Sequence, residues 1–416
     1  MMLYNLLLLL LLPLIPLRLL WRARKQPEYL DHVGERFGFY KATVTRPVIW
    51  LHAVSVGETR AAAPLVEALL ARYPDHAVLL THMTPTGRAT DEALFSGRVL
   101  RAYLPYDYPF AVRRFLRHFR PRLALFMETE LWPNMVAGCG QADVAACLVN
   151  ARLSDKSARR YARFPRLAAG LFGGLAQVLA QTEADAARLR QLGAKMVSVT
   201  GNLKFDVTPP PDVADKGQAL RAQLGRARPI LLAASTREGE EVLLLDSLDQ
   251  CAVPDLLLVL VPRHPQRFDE VASLLEKHGL KFQRKSANEN VAPETRVVLG
   301  DTMGEMFSYY AASDVAYVGG SLLPYGGQNL IEACAMGVPV LIGPHSYNFA
   351  QATEDAIAVG AAQRIGDATE LMRAAGDLLK NEAARKTMSD AARAFASAHR
   401  GATARTMHEL EKMLAR

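Results

Sequence analysis

Residues 48–58 read VIWLHAVSVGE, and residues 59–72 continue TRAAAPLVEALLAR. A run of β-branched and aliphatic residues closes on a turn at Gly57, and an alanine- and leucine-rich helical stretch follows. That is one strand feeding one helix, the opening of a parallel βαβ unit. Working outward, the same rhythm recurs. The next strands are expected at Ala77 to His82, Arg122 to Met127, Val144 to Val149 and Met196 to Thr200, with helical stretches rich in Ala, Leu and Arg between them. The segment VTPPPDVAD, Val207 to Asp215, has three successive prolines that break helix and strand alike, so it reads as an interdomain linker. A second set of strands, Pro229 to Ala234, Leu256 to Pro262, Val315 to Gly319 and Val338 to Gly343, repeats the pattern, and Glu382 to His399 is a long helix. The expected architecture is α/β: two Rossmann-like domains facing a cleft, spanning 26–207 and 208–416, behind an N-terminal segment 1–25.

In such sheets ligands bind beyond the carboxyl ends of the strands, so the residues just after each strand are the ones to inspect. Glu58 follows the first strand, as a carboxylate for proton chemistry or as a complement to the helix dipole. His52 precedes it and is weighed mainly as a core histidine. Glu128 and Glu130 follow RLALFM and suit acid/base work, cation binding or helix capping. In the second half, Pro262 and Arg263 end a strand, and a guanidinium there suits phosphate. Asp301 to Glu305, DTMGE, turns into a helix and contains Met303 and Gly304. Residues 319–332, GGSLLPYGGQNLIE, form a glycine-rich loop that lets backbone N–H groups approach an anion. It matches neither GxxxxGK[ST] nor GxGxxG. Glu332, one turn into the helix, suits ribose hydroxyls.

Composition bounds these readings. A chain of 416 residues, 50% hydrophobic and 22% charged, has material for two cores and is too apolar for disorder. Its four scattered cysteines indicate neither a disulfide framework nor a zinc site. A net charge of +7 favours anionic partners. Aromatic content of 7%, with no basic stripe interleaved with aromatics, speaks against nucleic acid. Up to Leu17 no charged residue occurs, and Arg18, Arg22, Arg24 and Lys25 then follow. The positive charges lie after the apolar run, with no small-residue cleavage site, so a retained membrane anchor is expected, with the remainder of the chain on the cytoplasmic side. Pro13 and Pro16 interrupt the run, which either spans a thinned bilayer or lies within one leaflet.

The ordered segments HAVSVGE, THMTPTG, YLPYD, METELWPN, NARLSDKS, TGNLKFD, VPRHPQRF, DTMGEM, GGSLLPYGGQN and GPHSYNF, together with the apolar N-terminus, resemble the 3-deoxy-D-manno-octulosonic acid (Kdo) transferases of lipopolysaccharide assembly. The likeness runs from about residue 1 to about residue 360. It implies the GT-B glycosyltransferase fold, CMP-Kdo as donor, a lipid A precursor as acceptor, and the inner membrane as location. By motif, Glu58 corresponds to the family's base. One of Glu128 and Glu130, with Lys204, is implicated in transition-state stabilisation. Pro262, Arg263, Met303, Gly304, Glu305, Asn329, Leu330, Ile331 and Glu332 correspond to its CMP-contacting segments. Gln328 stands where the family usually has His, and it keeps a hydrogen bond without becoming a cation. No cofactor is implied. With one phosphate on the donor and no DxD motif, metal-independent transfer is expected. A UDP-sugar transferase of the same fold and a non-catalytic glycolipid-binding protein are the rival readings.

Overall fold

The computed structural model describes residues 2–206 and 208–415. Two compact units divide the chain, Met1–Val207 with His399–Arg416, and Thr208–Ala398. The first is built on a seven-stranded sheet of β1 (Val48–His52), β2 (Ala77–His82), β3 (Leu100–Tyr103), β4 (Pro121–Met127), β5 (Ala145–Ala151), β6 (Gln177–Ala180) and β7 (Val197–Val199). Their order is β3-β2-β1-β4-β5-β6-β7, with each strand parallel to its neighbours. β1 lies inside the sheet between β2 and β4 and is buried throughout, as a parallel strand covered on both faces must be. Its alternate residues serve opposite faces: Trp50 joins Phe115, Phe119 and Phe126 in one core, while Ile49 and Leu51 join Leu65, Val66 and Leu69 in the other. The Trp50 indole packs edge-on against Phe115, with centroids 4.6 Å apart, and its N–H donates to Thr81 Oγ1 at 2.8 Å.

The second unit repeats the plan with β8 (Ile230–Thr236), β9 (Leu257–Pro262), β10 (Phe282–Arg284), β11 (Val297–Leu299), β12 (Val315–Val318), β13 (Val340–Ile342) and β14 (Ala362–Arg364), in the order β10-β11-β9-β8-β12-β13-β14. In each sheet the winding direction reverses once, between β1 and β4 and between β8 and β12. A crevice opens there beyond the strand ends.

Three expectations differ from what is found. The C-terminal helix Ala402–Leu414 belongs to the first unit and not to a 208–416 domain. Its Ala402, Met407 and Leu410 enter the core that holds Ile49 and Leu51, and Asp206 accepts from Gly401 N–H at 2.6 Å to fix its start. An amphipathic pattern states that a helix needs a sheet, not which sheet. The linker is also shorter than 207–215, because a helix begins at Val213; Val207 itself lies outside the described residues. Strands β3, β6, β10, β11 and β14 were not expected from the sequence, since each has three or four residues and too little pattern to register.

Candidate active site

β1 delivers the chain to the first switch point at Ala53. Ser55 then caps helix Val56–Arg72: its Oγ accepts from Glu58 N–H at 3.5 Å and donates to Glu58 Oε1 at 3.2 Å. Val54 N–H donates to Glu58 Oε2 at 2.8 Å. This is the capping-box pattern S-x-x-E, displaced so that the carboxylate reaches the residue before the cap. Glu58 therefore complements the helix start and also faces the crevice. Burial pushes its carboxyl up to about 7, the charges of Glu128 and Glu130 add to that, and the Val54 and Ser55 hydrogen bonds oppose it. A carboxyl poised near neutrality is what a general base needs.

On the other side of the switch point β4 runs into Glu128, whose φ of +56° is left-handed backbone for a residue with a Cβ. Such a conformation costs on the order of 1–3 kcal/mol and persists where the surroundings over-determine it. Here Glu128 N–H donates to Val149 O at 2.9 Å, and its Oε1 accepts from Lys204 Nζ at 2.9 Å. Lys204 is placed by two asparagines: Asn150 Oδ1 accepts from Leu203 N–H and Asn202 Oδ1 from Lys204 N–H, both at 3.0 Å. Asn150 is itself left-handed, with φ +52°, at an irregularity in the β5–β6 register. Glu130 lies two residues beyond Glu128, and burial and the Glu128 charge hold its carboxyl above the ordinary range. Glu58, Glu128, Glu130 and Lys204 thus form one cluster. His52 does not take part: it is fully buried, its Nδ1 lies 2.9 Å from Thr81 Oγ1, and burial first, then the charge of His82, lowers it to about 3.

In the second unit the strand ends of β11, β9, β8 and β12 are adjacent, which gathers the segments singled out from the sequence along one edge. Pro262 closes β9, and Arg263 N–H donates to Thr236 O at 3.0 Å. Met303 is exposed, Gly304 has φ +82°, and Glu305 accepts from the Thr302 hydroxyl, which also meets Tyr309 Oη at 3.0 Å. Asn329 caps helix Leu330–Ala335 by accepting from Ile331 N–H at 3.1 Å, and its amide donates to Glu332 Oε1 at 3.0 Å. Leu330 and Ile331 have buried side chains, so their backbone is what a ligand can meet.

The glycine-rich loop is locked by Glu240. Its buried carboxylate accepts from Gly320 N–H at 2.6 Å, Leu322 N–H at 3.0 Å, Tyr317 Oη at 2.6 Å and Arg237 N–H at 2.9 Å. Gly319 is obligatory, since a Cβ there would lie 2.6 Å from Ser235 O. The edge is electropositive: burial and then Arg237, Arg263 and Arg267 hold His264 below its ordinary range. Glu241 engages Arg267 in a fork at 2.6 and 3.1 Å, and the Arg237 guanidinium lies 4.6 Å from the Tyr325 ring centroid. Among the described residues no three His, Cys, Asp or Glu side chains come together as a metal site.

Residues 31–207 match the family described as 3-Deoxy-D-manno-octulosonic-acid transferase (kdotransferase). A 3-deoxy-D-manno-octulosonic acid transferase of Bordetella pertussis is 48% identical over 96% of this chain and 97% of its own. This chain belongs to the Kdo transferase family. The Haemophilus influenzae transferase of the same name is 38% identical over 94% of this chain and 93% of its own. The solved structure of Anabaena Alr3699/HepE in complex with UDP covers 89% of this chain and 100% of its own, with 16% identity and a TM-score of 0.61, so the fold is shared. The chain is accordingly a glycosyltransferase of GT-B fold. Within this Kdo transferase, sequence reasoning passed over Arg237, Glu240 and Asn150. The signal for the first two was present in STREGEE, whose first two residues end β8, so that an arginine and a carboxylate follow a strand end as Arg263 and Glu58 do.

Proposed function

We propose that the chain transfers Kdo from CMP-Kdo to a hydroxyl of the lipid A precursor, an acylated glucosamine disaccharide bisphosphate, at the cytoplasmic face of the inner membrane. Glu58 takes the proton of the acceptor hydroxyl, the hydroxyl oxygen bonds to the anomeric carbon, and the bond from that carbon to the CMP phosphate breaks. One in-line displacement inverts the anomeric centre, and CMP leaves with the electron pair. Developing positive charge on the sugar ring favours nearby carboxylates, a role for Glu128 or Glu130. Lys204, whose Nζ donates to Glu128 Oε1 at 2.9 Å, has the positive charge to meet the Kdo carboxylate. In the second unit Arg263, Arg237 and the backbone of 319–331 suit the departing phosphate. They supply positive charge that Gln328 does not.

The observation that carries this reading is the carboxyl of Glu58, set at a topological switch point beside two further carboxylates and held near neutrality. Acids facing an anionic ligand cost affinity unless they do chemistry, which argues against a mere binding protein.

Membrane attachment is supported by helices Met2–Leu11 and Leu14–Ala23, which leave Leu3, Leu6, Leu10, Leu14, Leu17 and Trp21 exposed. Among the described residues no single helix is long and apolar enough to cross a membrane; the two pass that test together but are bent by 53°. The first is tied to its unit by Tyr4 Oη donating to Asp107 at 2.9 Å and Tyr108 Oη donating to Leu8 O at 2.7 Å. Beside it, a cavity of about 780 Å³ is lined by Asn5, Arg113, Arg117 and Arg120 and by no acidic side chain, which suits phosphate-bearing lipid. The test is product mass after incubating the protein with CMP-Kdo and a tetra-acylated lipid A precursor. A gain of one or more Kdo residues is expected, and no gain with CMP still bound would overturn the acceptor assignment.

A further inference from the structure

The segment THMTPTG, residues 81–87, has no part in the chemistry above, yet it packs directly behind the proposed base. His82 closes β2 with its side chain fully buried. Its Nδ1 lies 2.9 Å from Ala53 O and its Nε2 2.9 Å from Asp91 Oδ2. A backbone carbonyl only accepts, so Nδ1 carries a proton; the other contact also faces an acceptor, so a second proton is shared there. The other charged or titratable groups around His82 and Asp91 are Arg101, with Nε 3.2 Å from Asp91 Oδ1, Glu92 paired with Arg101, and the neighbouring His52.

The carbonyl that His82 grips and the N–H that grips Glu58 are the two ends of one amide, the Ala53–Val54 peptide. A positive donor on the oxygen of an amide draws electron density from its nitrogen and strengthens the N–H as a donor, the cooperativity expected along a buried chain of hydrogen bonds. The rest of the segment fixes the following carbonyl: Thr84 Oγ1 donates to Val54 O at 3.3 Å and accepts from Gly87 N–H at 3.1 Å. A Cβ on Gly87 would crowd both, at 3.1 Å from Thr84 Oγ1 and 3.3 Å from Val54 O.

We propose that His82 and Asp91 are positioning residues for Glu58, their buried ion pair polarising the Ala53–Val54 peptide so that its N–H holds the carboxylate ionised and aimed. This rests on the reading of Glu58 as the base. Among the influences on Glu58, the Val54 hydrogen bond is the largest that opposes burial, so weakening it raises the carboxyl further.

The test is the pH dependence of kcat and KM for CMP-Kdo in the parent, His82→Gln, Asp91→Asn and Glu58→Gln. Gln at 82 keeps a donor without the charge, and Asn at 91 is isosteric, leaving a neutral imidazole that still donates to Ala53 O. Both variants are expected to move the acid limb of kcat to higher pH, losing about tenfold at about pH 6 and recovering toward the parent at about pH 9, with KM within about twofold. Folding is checked by circular dichroism and by CMP binding; if His82→Gln does not fold, Asp91→Asn decides. Folded variants whose acid limb coincides with the parent's, or that lose activity equally at every pH, overturn the proposal. Glu58→Gln with parental turnover instead overturns the base assignment, an outcome independent of His82.

Discussion

Replacing Glu58 with Gln separates the residue's chemical role from its effect on the fold. Holding a carboxyl at about 7 that titrates at 4.5 in an open chain means that the folded state binds its proton more tightly than the unfolded chain between those values. Stability is then fully present below 4.5, falls as pH rises through that window, and carries the whole penalty above about 7. At about 1.4 kcal/mol per tenfold in acidity constant, the penalty is about 3 kcal/mol at most. Gln retains an oxygen for Val54 N–H, now 2.8 Å away, and an amide that can donate to Ser55 Oγ, so the capping geometry survives without the charge. For a unit of this size about 1 kcal/mol corresponds to roughly 2–4 °C, so Glu58→Gln should raise Tm by up to about 10 °C at pH 8 and leave it nearly unchanged at pH 4. Turnover at pH 8, where the parent's Glu58 is ionised, should fall by about 10²- to 10⁴-fold, the usual contribution of a general base. Differential scanning calorimetry at the two pH values and a product assay measure both effects. A Tm difference that is the same at both pH values would refute the burial argument, and turnover within about tenfold of the parent would refute the base role.

Parental kcat should rise with pH along a limb centred near 7, the value at which Glu58 ionises; a flat profile from pH 5 to 8 would remove that group from the rate-determining step. Arg263→Ala should weaken CMP binding, read by calorimetry, while circular dichroism stays unchanged, and CMP rather than UDP should compete with the donor. Leu410→Ala, in a fully buried position of the C-terminal helix, should destabilise the first unit by about 2–5 kcal/mol, whereas a helix that packed on the second unit would shift that unit's transition instead. Turnover should survive EDTA; activity that EDTA abolishes and magnesium restores would overturn metal-independent transfer.

The βα rhythm, the two-sheet plan and the strand ends at which Glu58, Glu128, Arg263 and the 319–332 loop stand are legible in the order of residues alone. Those features are written in local patterns: a buried parallel strand is an unbroken apolar run, and a helix start carries its cap a few residues away. The family likeness was legible for the same reason, since ten ordered segments stand at or beside those strand ends. Which of these segments meet is set by the folded chain. That Lys204 reaches Glu128 across 76 positions, that Glu240 threads its carboxylate among the amides of 320 and 322, and that His82 stands behind the peptide holding Glu58 follow from strand order. The left-handed backbone of Glu128 and Asn150 was equally hidden, because nothing in either residue's identity requires it and only the surrounding hydrogen bonds hold it. The last helix shows the limit most plainly. Its apolar stripe fixes that it must be buried, and the chain's path from Ala398 back to the first unit fixes where.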